Sequence, residues 1–439
     1  SRGLGEVYKR QNENNSQNEL FPVPTKHHYH NVKKKNHSLE PLENFSNAIL
    51  DFNISIHLNP NEIHAYIGRG AALIKVKDFD NAIHNFDEAI KMDSNNVIAY
   101  GGRGRAKLES FDYSGALIDL DKAISKGNES EVAFYYLLRG IVKYKSQNYE
   151  SGINDIEKSL TLGPYNEDLI TLMDKFGISD IALEIPTNSK INDKTFAVII
   201  ANENYSNAVE VEYAINDGRL FKLYSERTLT IPKNNIRYIE NATLGAMRSA
   251  INWLNNIQSA FGDEANIIFF YAGHGMPSNV NQFPYVLPVD GVPSDIETAI
   301  KLEEIYKKLS EHPSKLVLIL VDACFSGAVR DNSMLVQARA VRVRPKEVPI
   351  QGNMIVFTAS TGTETAFPYS EKQQGLFTYY VIKKLQESKG NVSLSDLSEY
   401  VITNVKKQSV LFNNMLQTPQ LIISNDILED WKTINLLNQ

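Results

Sequence analysis

A single period governs residues 41–180 of this 439-residue chain. Ala48, Ala82 and Ala116 stand 34 residues apart, as do Gly70 and Gly104, and Gly140 follows after 36 with the extra residues in SKGNES. The register resumes at Gly152 and Pro164. Self-similarity at this period belongs to helix-turn-helix repeats, whose units bury their apolar faces only by stacking on one another. Such a segment builds an all-α solenoid.

Within each unit an aromatic opens the first helix (Tyr66, Tyr100, Tyr136), and a glycine four residues later (Gly70, Gly104, Gly140) admits the paired helix. The second helix carries small, bulky and small residues on one stripe: Ala82/Phe86/Ala89, Ala116/Leu120/Ala123 and Gly152/Ile156/Ser159. These residues resemble the tetratricopeptide repeat family across 41–180, fully for three repeats and only in Phe45, Ala48, Phe52 and Pro60 for the first. The resemblance implies a groove that binds a regulatory protein or peptide.

Residues 1–40 are rich in Asn, Lys and His without apolar periodicity, which predicts a flexible polar tail. His27, His28, His30 and His37 cluster there, but no carboxylate or cysteine completes a metal site, so no metal is expected. The segment 181–195 mixes Pro, Asn, Ser and Lys and is expected to be a linker. A different grammar follows over 196–439. FAVIIA (196–201), NIIFFYA (266–272), KLVLILV (315–321) and MIVFTA (354–359) are short apolar runs of strands buried on both faces. Helical patterns at 214–226, 244–258, 302–309 and 377–386 alternate with them. The alternation predicts an α/β domain with a mostly parallel central sheet flanked by helices.

Composition narrows the function classes. With 42% hydrophobic and 22% charged residues the chain is globular, and its net charge of −7 offers no basic face for nucleic acid. No apolar run approaches the ~18 residues of a membrane helix, so no membrane partner is expected. The first fifteen residues lack the apolar core of a signal peptide, and one cysteine suits a reducing compartment; both predict a cytoplasmic home. No dense acidic cluster marks a calcium site, and nothing calls for a cofactor.

Two apolar runs end in polar, glycine-rich sequence, AGHG with His274 and DACFSG with Cys324. In open α/β sheets function lies beyond the carboxyl ends of the strands, so the two residues should meet at one edge. A thiol attacks as thiolate, and a free cysteine near pKa ~8.5 needs a base to take its proton. An imidazole supplies one and returns the proton to a leaving amine. Taken singly, Cys324 as an inert buried thiol and His274 as a satisfied core histidine compete with this reading; together at strand ends they point to catalysis.

The AGHG and DACFSG pair, 50 residues apart, is similar to the signatures of the clan that holds caspases, metacaspases, legumains, gingipains and separases. YVLPVDG, TASTGTETA, GLFTYYV and QTPQLI resemble metacaspases and bacterial caspase homologues, and the likeness covers about 196–424. It implies a cysteine endopeptidase acting on protein or peptide substrates through a Cys324-His274 dyad. The backbone N–H groups of Cys324 and Gly275 would face the oxyanion. Asp322 stands where caspases have Gln, as in metacaspases, and Asp217 matches their second acidic position; two carboxylates there imply cleavage after Arg or Lys. Glu364 is a candidate for the same rim. Structural roles compete: Asp217 as a helix cap, Asp322 as a partner for a neighbouring loop. Two other readings stay open: a silent caspase-like scaffold or adaptor, and legumain-like acyl transfer or cleavage after Asn.

The stretch 329–349 carries Arg330, Arg339, Arg342, Arg344 and Lys346 against Asp331 and Glu347. The resemblance places it where caspases carry their processing linker. Arg339 and Arg342 are the expected self-processing positions, since Pro345 protects the bond after Arg344. An edge strand with its arginines in water is the alternative.

Overall fold

A computed structural model describes residues 40–162, 172, 173, 175, 176, 178, 185–278, 282–325, 349–362 and 364–437. The tail with its four histidines, most of 163–184, and the basic stretch with Arg339 and Arg342 lie outside the described residues. The chain divides into two compact units, Ser1–Phe176 and Gly177–Gln439.

Seven helices make up the described part of the first unit: α1 (Glu40–Leu58), α2 (Ile63–Lys75), α3 (Phe79–Met92), α4 (Val97–Glu109), α5 (Tyr113–Lys126), α6 (Glu129–Lys145) and α7 (Tyr149–Leu162). The repeats start helices with Asx caps: the side chains of Asp78, Asn96, Asp112 and Asn128 each accept a backbone N–H three residues on. Lys77, Phe111 and Gln147 turn the chain between paired helices in the left-handed region, at the same place in each repeat. The glycines act by close approach: a Cβ at Gly70 would lie 2.9 Å from the Phe86 ring, and one at Gly140 2.7 Å from Ile156. The repeats are thus tetratricopeptide-like in packing as well as in period.

A polar ladder accompanies this core. Arg103 donates through Nε and Nη2 to Asp119 at 2.8 and 2.5 Å and through Nη1 to Asp87 at 2.5 Å. Arg139 does the same with Asp155 and Asp121, and Arg69 with Asn85 and Asn53. Each arginine therefore ties its own repeat to the preceding one. The carboxylates of Asp119 and Asp87 raise the proton affinity of Arg103 above its ordinary value, against the opposing effect of burial.

The second unit is built on a six-stranded sheet. Its elements are β1 (Thr195–Ala201), α8 (Ala214–Arg227), β2 (Ile236–Glu240), α9 (Leu244–Phe261), β3 (Asn266–Ala272), β4 (Gly275–Pro277), β5 (Pro284–Val286), β6 (Ile300–Lys301), α10 (Leu302–Lys308), β7 (Leu316–Asp322), β8 (Met354–Thr358), β9 (Pro368–Tyr369), β10 (Gln374–Gly375), α11 (Leu376–Glu387), α12 (Leu394–Asn413) and β11 (Gln420–Ile423). The order is β11-β8-β7-β3-β1-β2, all parallel except β11, which pairs antiparallel with β8. β4, β5 and β6 form a small separate sheet beyond the end of β3.

Strand alternation divides the core. Val198, Phe269, Ile319 and Val356 pack with Met247, Leu254 and Ile305 of α9 and α10 on one face. On the other, Phe221 of α8 stacks on Phe270 at 4.5 Å between centroids, and Phe377 of α11 meets Phe357 edge-on at 4.9 Å. β1, β3 and β7 are buried along their whole length, which is why their sequences run apolar without alternation.

Part of the expected linker is tied down. Asn188 Nδ2 donates to the carbonyls of Thr228 and Lys389, Asn192 N donates to Thr230 O, and Thr195 opens β1. The asparagines that suggested a loop serve as bridges between backbone groups.

Candidate active site

The geometry begins with the sheet register. β3 pairs with β7 from Asn266 opposite Leu316 to Ala272 opposite Asp322, a constant offset of 50 residues. His274 and Cys324 therefore leave the sheet two residues beyond paired neighbours. Gly273 N donates to Asp322 O at 3.2 Å, which carries the pairing past the strand ends. The next residue closes the gap: a Cβ at Gly275 would lie 2.6 Å from the Cys324 carbonyl oxygen and 2.7 Å from the Phe325 ring. Only glycine lets the two turns meet this closely, which gives AGHG a physical reason.

Both candidate side chains are buried, His274 at 3% exposure and Cys324 at 5%. His274 Nε2 lies 2.7 Å from the carbonyl oxygen of Val209. A carbonyl oxygen only accepts, so Nε2 carries the proton and Nδ1 is the basic nitrogen of the neutral ring. The Cys324 sulfur accepts the backbone N–H of Ala366 at 2.9 Å, with Ala366 O at 3.4 Å. A thiol and an imidazole at register-matched strand ends have the chemistry for proton transfer and nucleophilic attack.

The two aspartates converge on one helix terminus. Asp322, the last residue of β7, is fully buried, and its Oδ2 accepts from Thr378 N at 3.2 Å and Thr378 Oγ1 at 2.7 Å. Asp217, in the first turn of α8 and equally buried, accepts Gly375 N at 2.8 and 3.1 Å. Gly375 is the N-cap of α11 and Thr378 lies in its first turn, so both carboxylates face the positive end of that helix.

Residues 194–426, more than half of the chain, match the caspase-domain family model. The chain belongs to the caspase-domain family. Among solved structures it is similar to a protein of Geobacter sulfurreducens, at 14% identity over 53% of this chain and 93% of that one with a TM-score of 0.39. It is likewise similar to caspase-1 of Spodoptera frugiperda, at 13% identity over 54% and 88% with a TM-score of 0.37. The protein MamA is similar at 19% identity over 30% of this chain and 77% of that chain, with a TM-score of 0.27. No curated protein matches.

Within the caspase domain the Glu364 carboxylate meets Thr418: Oε2 accepts Thr418 N at 2.7 Å and Oε1 accepts Thr418 Oγ1 at 3.2 Å. It braces the segment that carries Ala366. Ser326 and Gly327, which complete the cysteine motif, lie outside the described residues. Sequence reasoning missed Val209, Tyr205 and Ala366. Val209 and Ala366 act through backbone atoms, which leave no residue-type signal. Tyr205, in the NENY run directly after β1, stood within reach of a motif reading. Among the described residues no cluster of His, Cys, Asp and Glu side chains could hold a metal ion, and no helix is long and apolar enough to cross a membrane.

Proposed function

We propose that the protein is a regulated cysteine endopeptidase, with Cys324 as nucleophile, His274 as base and then acid, and the N–H groups of Cys324 and Gly275 receiving the oxyanion. The reading rests on the contact of Gly275 with the Cys324 carbonyl, which unites the two register-matched turns at one strand edge. Proton transfer from thiol to Nδ1 leaves a thiolate to attack the scissile carbonyl, and the imidazolium then protonates the departing amine. Cys324→Ala and His274→Ala should both abolish turnover of fluorogenic peptides while the fold persists; equal turnover by Cys324→Ala would refute the assignment.

Asp322 and Asp217 supply the proposed preference for Arg or Lys, as two buried carboxylates gathered at the N-terminus of α11. Their bonds to the first turn of α11 also support a purely structural role. Substrates differing only in the residue before the scissile bond separate the two.

The regulated part of the reading is supported by burial of the nucleophile, whose sulfur is engaged by Ala366 in this state. The tetratricopeptide-like repeats are the proposed receptor for the controlling protein or peptide, and deletion of 1–180 should change activity. Arg339 and Arg342 remain the proposed self-processing positions, tested by intact-mass analysis of wild type beside Cys324→Ala.

A further inference from the structure

The loop between β1 and α8 surrounds the histidine from more than one side. Tyr205 places its ring 4.6 Å from the imidazole, centroid to centroid, at an interplanar angle of 48°. Its hydroxyl accepts the backbone N–H of His274 at 2.8 Å and lies 3.4 Å from the Tyr271 hydroxyl. Tyr271 in turn lies 2.8 Å from His274 O and 2.9 Å from Leu287 O, and Leu287 N donates to His274 O at 3.0 Å. Four residues after Tyr205, Val209 accepts Nε2. The loop is anchored at Asn202 N on Ala272 O, Ser206 N on Val289 O and Val211 N on Glu203 O. Gly273 belongs to the same device, because a Cβ there would lie 2.6 Å from the Tyr205 hydroxyl and 2.7 Å from that of Tyr271.

We infer that Tyr205 is a positioning residue for His274, fixing the peptide of the histidine through its hydroxyl and favouring the protonated imidazole through its ring face. The inference rests on the assignment of His274 as the base. An aromatic face attracts a cation, most strongly where water is excluded, and His274 is buried. The ring therefore supports the imidazolium that forms when the thiol gives up its proton, while the hydroxyl and the Val209 carbonyl hold the imidazole in one orientation.

Among the described residues the other titratable groups around the histidine are few. Tyr271 comes from β3, and burial, with the Tyr205 hydroxyl beside it, holds its phenol protonated well above the ordinary range. Asp322 ends β7 and Cys324 follows it, with Asp322 engaged by Thr378. The loop itself carries Glu203, which accepts Ile215 N, and the exposed Glu210 and Glu212. Of these, Tyr271 touches Tyr205 through its hydroxyl; Tyr205→Phe removes that hydroxyl and keeps the ring, so a shift seen in Tyr205→Leu and absent from Tyr205→Phe is assigned to the ring.

The test is the titration of His274 by NMR in the full-length chain, its signal identified by loss in His274→Ala, beside the pH dependence of peptide turnover. Tyr205→Leu keeps the burial and deletes the π face, and should titrate lower than wild type by roughly half a unit or more. Tyr205→Phe keeps the ring and should titrate like wild type, with kcat about three- to tenfold lower and KM unchanged. A Tyr205→Leu protein that titrates like wild type overturns the inference. If that variant does not fold, an unchanged kcat in Tyr205→Phe overturns it. A shifted titration in a chain with no peptide turnover keeps the positioning role and removes the peptidase reading instead.

Discussion

The backbone N–H of Ala366 donates to the Cys324 sulfur at 2.9 Å, so the proposed nucleophile is engaged by a neighbouring loop. Gln417 pins that loop at both ends. Its Nε2 donates to Ala359 O at 2.9 Å, its Oε1 accepts Phe367 N at 2.8 Å, and the side chain is fully buried. Gln417→Leu leaves one buried acceptor and one buried donor without this partner and should destabilise the protein by about 1–3 kcal/mol. It should also speed alkylation of Cys324 several-fold at fixed pH. Cys324 is the only cysteine, so intact mass reads a single adduct. Unchanged alkylation would show that the loop does not limit access.

Asp322→Asn separates the specificity role from the structural one. Asparagine keeps an oxygen to accept Thr378 N–H and Oγ1, so α11 keeps its first-turn partner. The charge is lost. A hydrogen bond to a charged group is worth about 1.5–3 kcal/mol, so kcat/KM for an Arg or Lys substrate should fall roughly ten- to a hundredfold. Melting should move by only a few degrees. A large loss of stability with unchanged preference would assign Asp322 to the helix alone.

The central sheet was legible because burial on both faces leaves unbroken apolar runs, and β1, β3, β7 and β8 fall within a residue or so of where those runs place them. β2 escaped because IRYIE is an edge strand, half exposed, with mixed residue types. α12 escaped because its buried face mixes Leu394, Leu397, Val401 and Val405 with Ser398 and Ser409, and β4 to β6 because two or three residues carry no period. At the site, the spacing of His274 and Cys324 is the register offset of two adjacent strands, a local fact that sequence can show. The contacts of Val209 and Tyr205 with His274 span 65 and 69 residues and depend on how a loop folds back. The arginine ladder was visible in principle, since Arg69, Arg103 and Arg139 each precede the repeat glycine.

That ladder should show a graded response to mutation. Arg103→Leu leaves Asp119, which has no exposure, with the Lys107 ammonium 2.8 Å away. Breaking a buried pair costs about 3–5 kcal/mol, and the surviving lysine sets the loss at the lower end. Arg69→Leu removes donors from the neutral Asn85 and Asn53, and should cost only about 1 kcal/mol. Urea unfolding of the two variants should therefore rank Arg103 well above Arg69. Equal losses would mean that packing of the arginine stems, and not the buried carboxylate, carries the effect.

Buried tyrosines set the alkaline limit of the fold. Burial of Tyr306 against α9 and the sheet raises its phenol above the ordinary value near 10, and Tyr271 is raised for the same reason. Below pH ~10 the phenol is protonated in both folded and unfolded chains, and stability does not depend on pH through this group. Above that, the unfolded chain releases the proton while the folded one retains it. Stability therefore falls as pH rises from about 10 towards the folded value, by up to about 1.4 kcal/mol per pH unit for each such tyrosine. Tyr306→Phe removes one of these protons and should make the decline shallower by about that amount. Urea unfolding at pH 8, 10 and 11 measures the slope, and tyrosinate absorbance counts the phenols released. A variant whose slope matches wild type would show that Tyr306 ionises in the folded chain, with water reaching its hydroxyl.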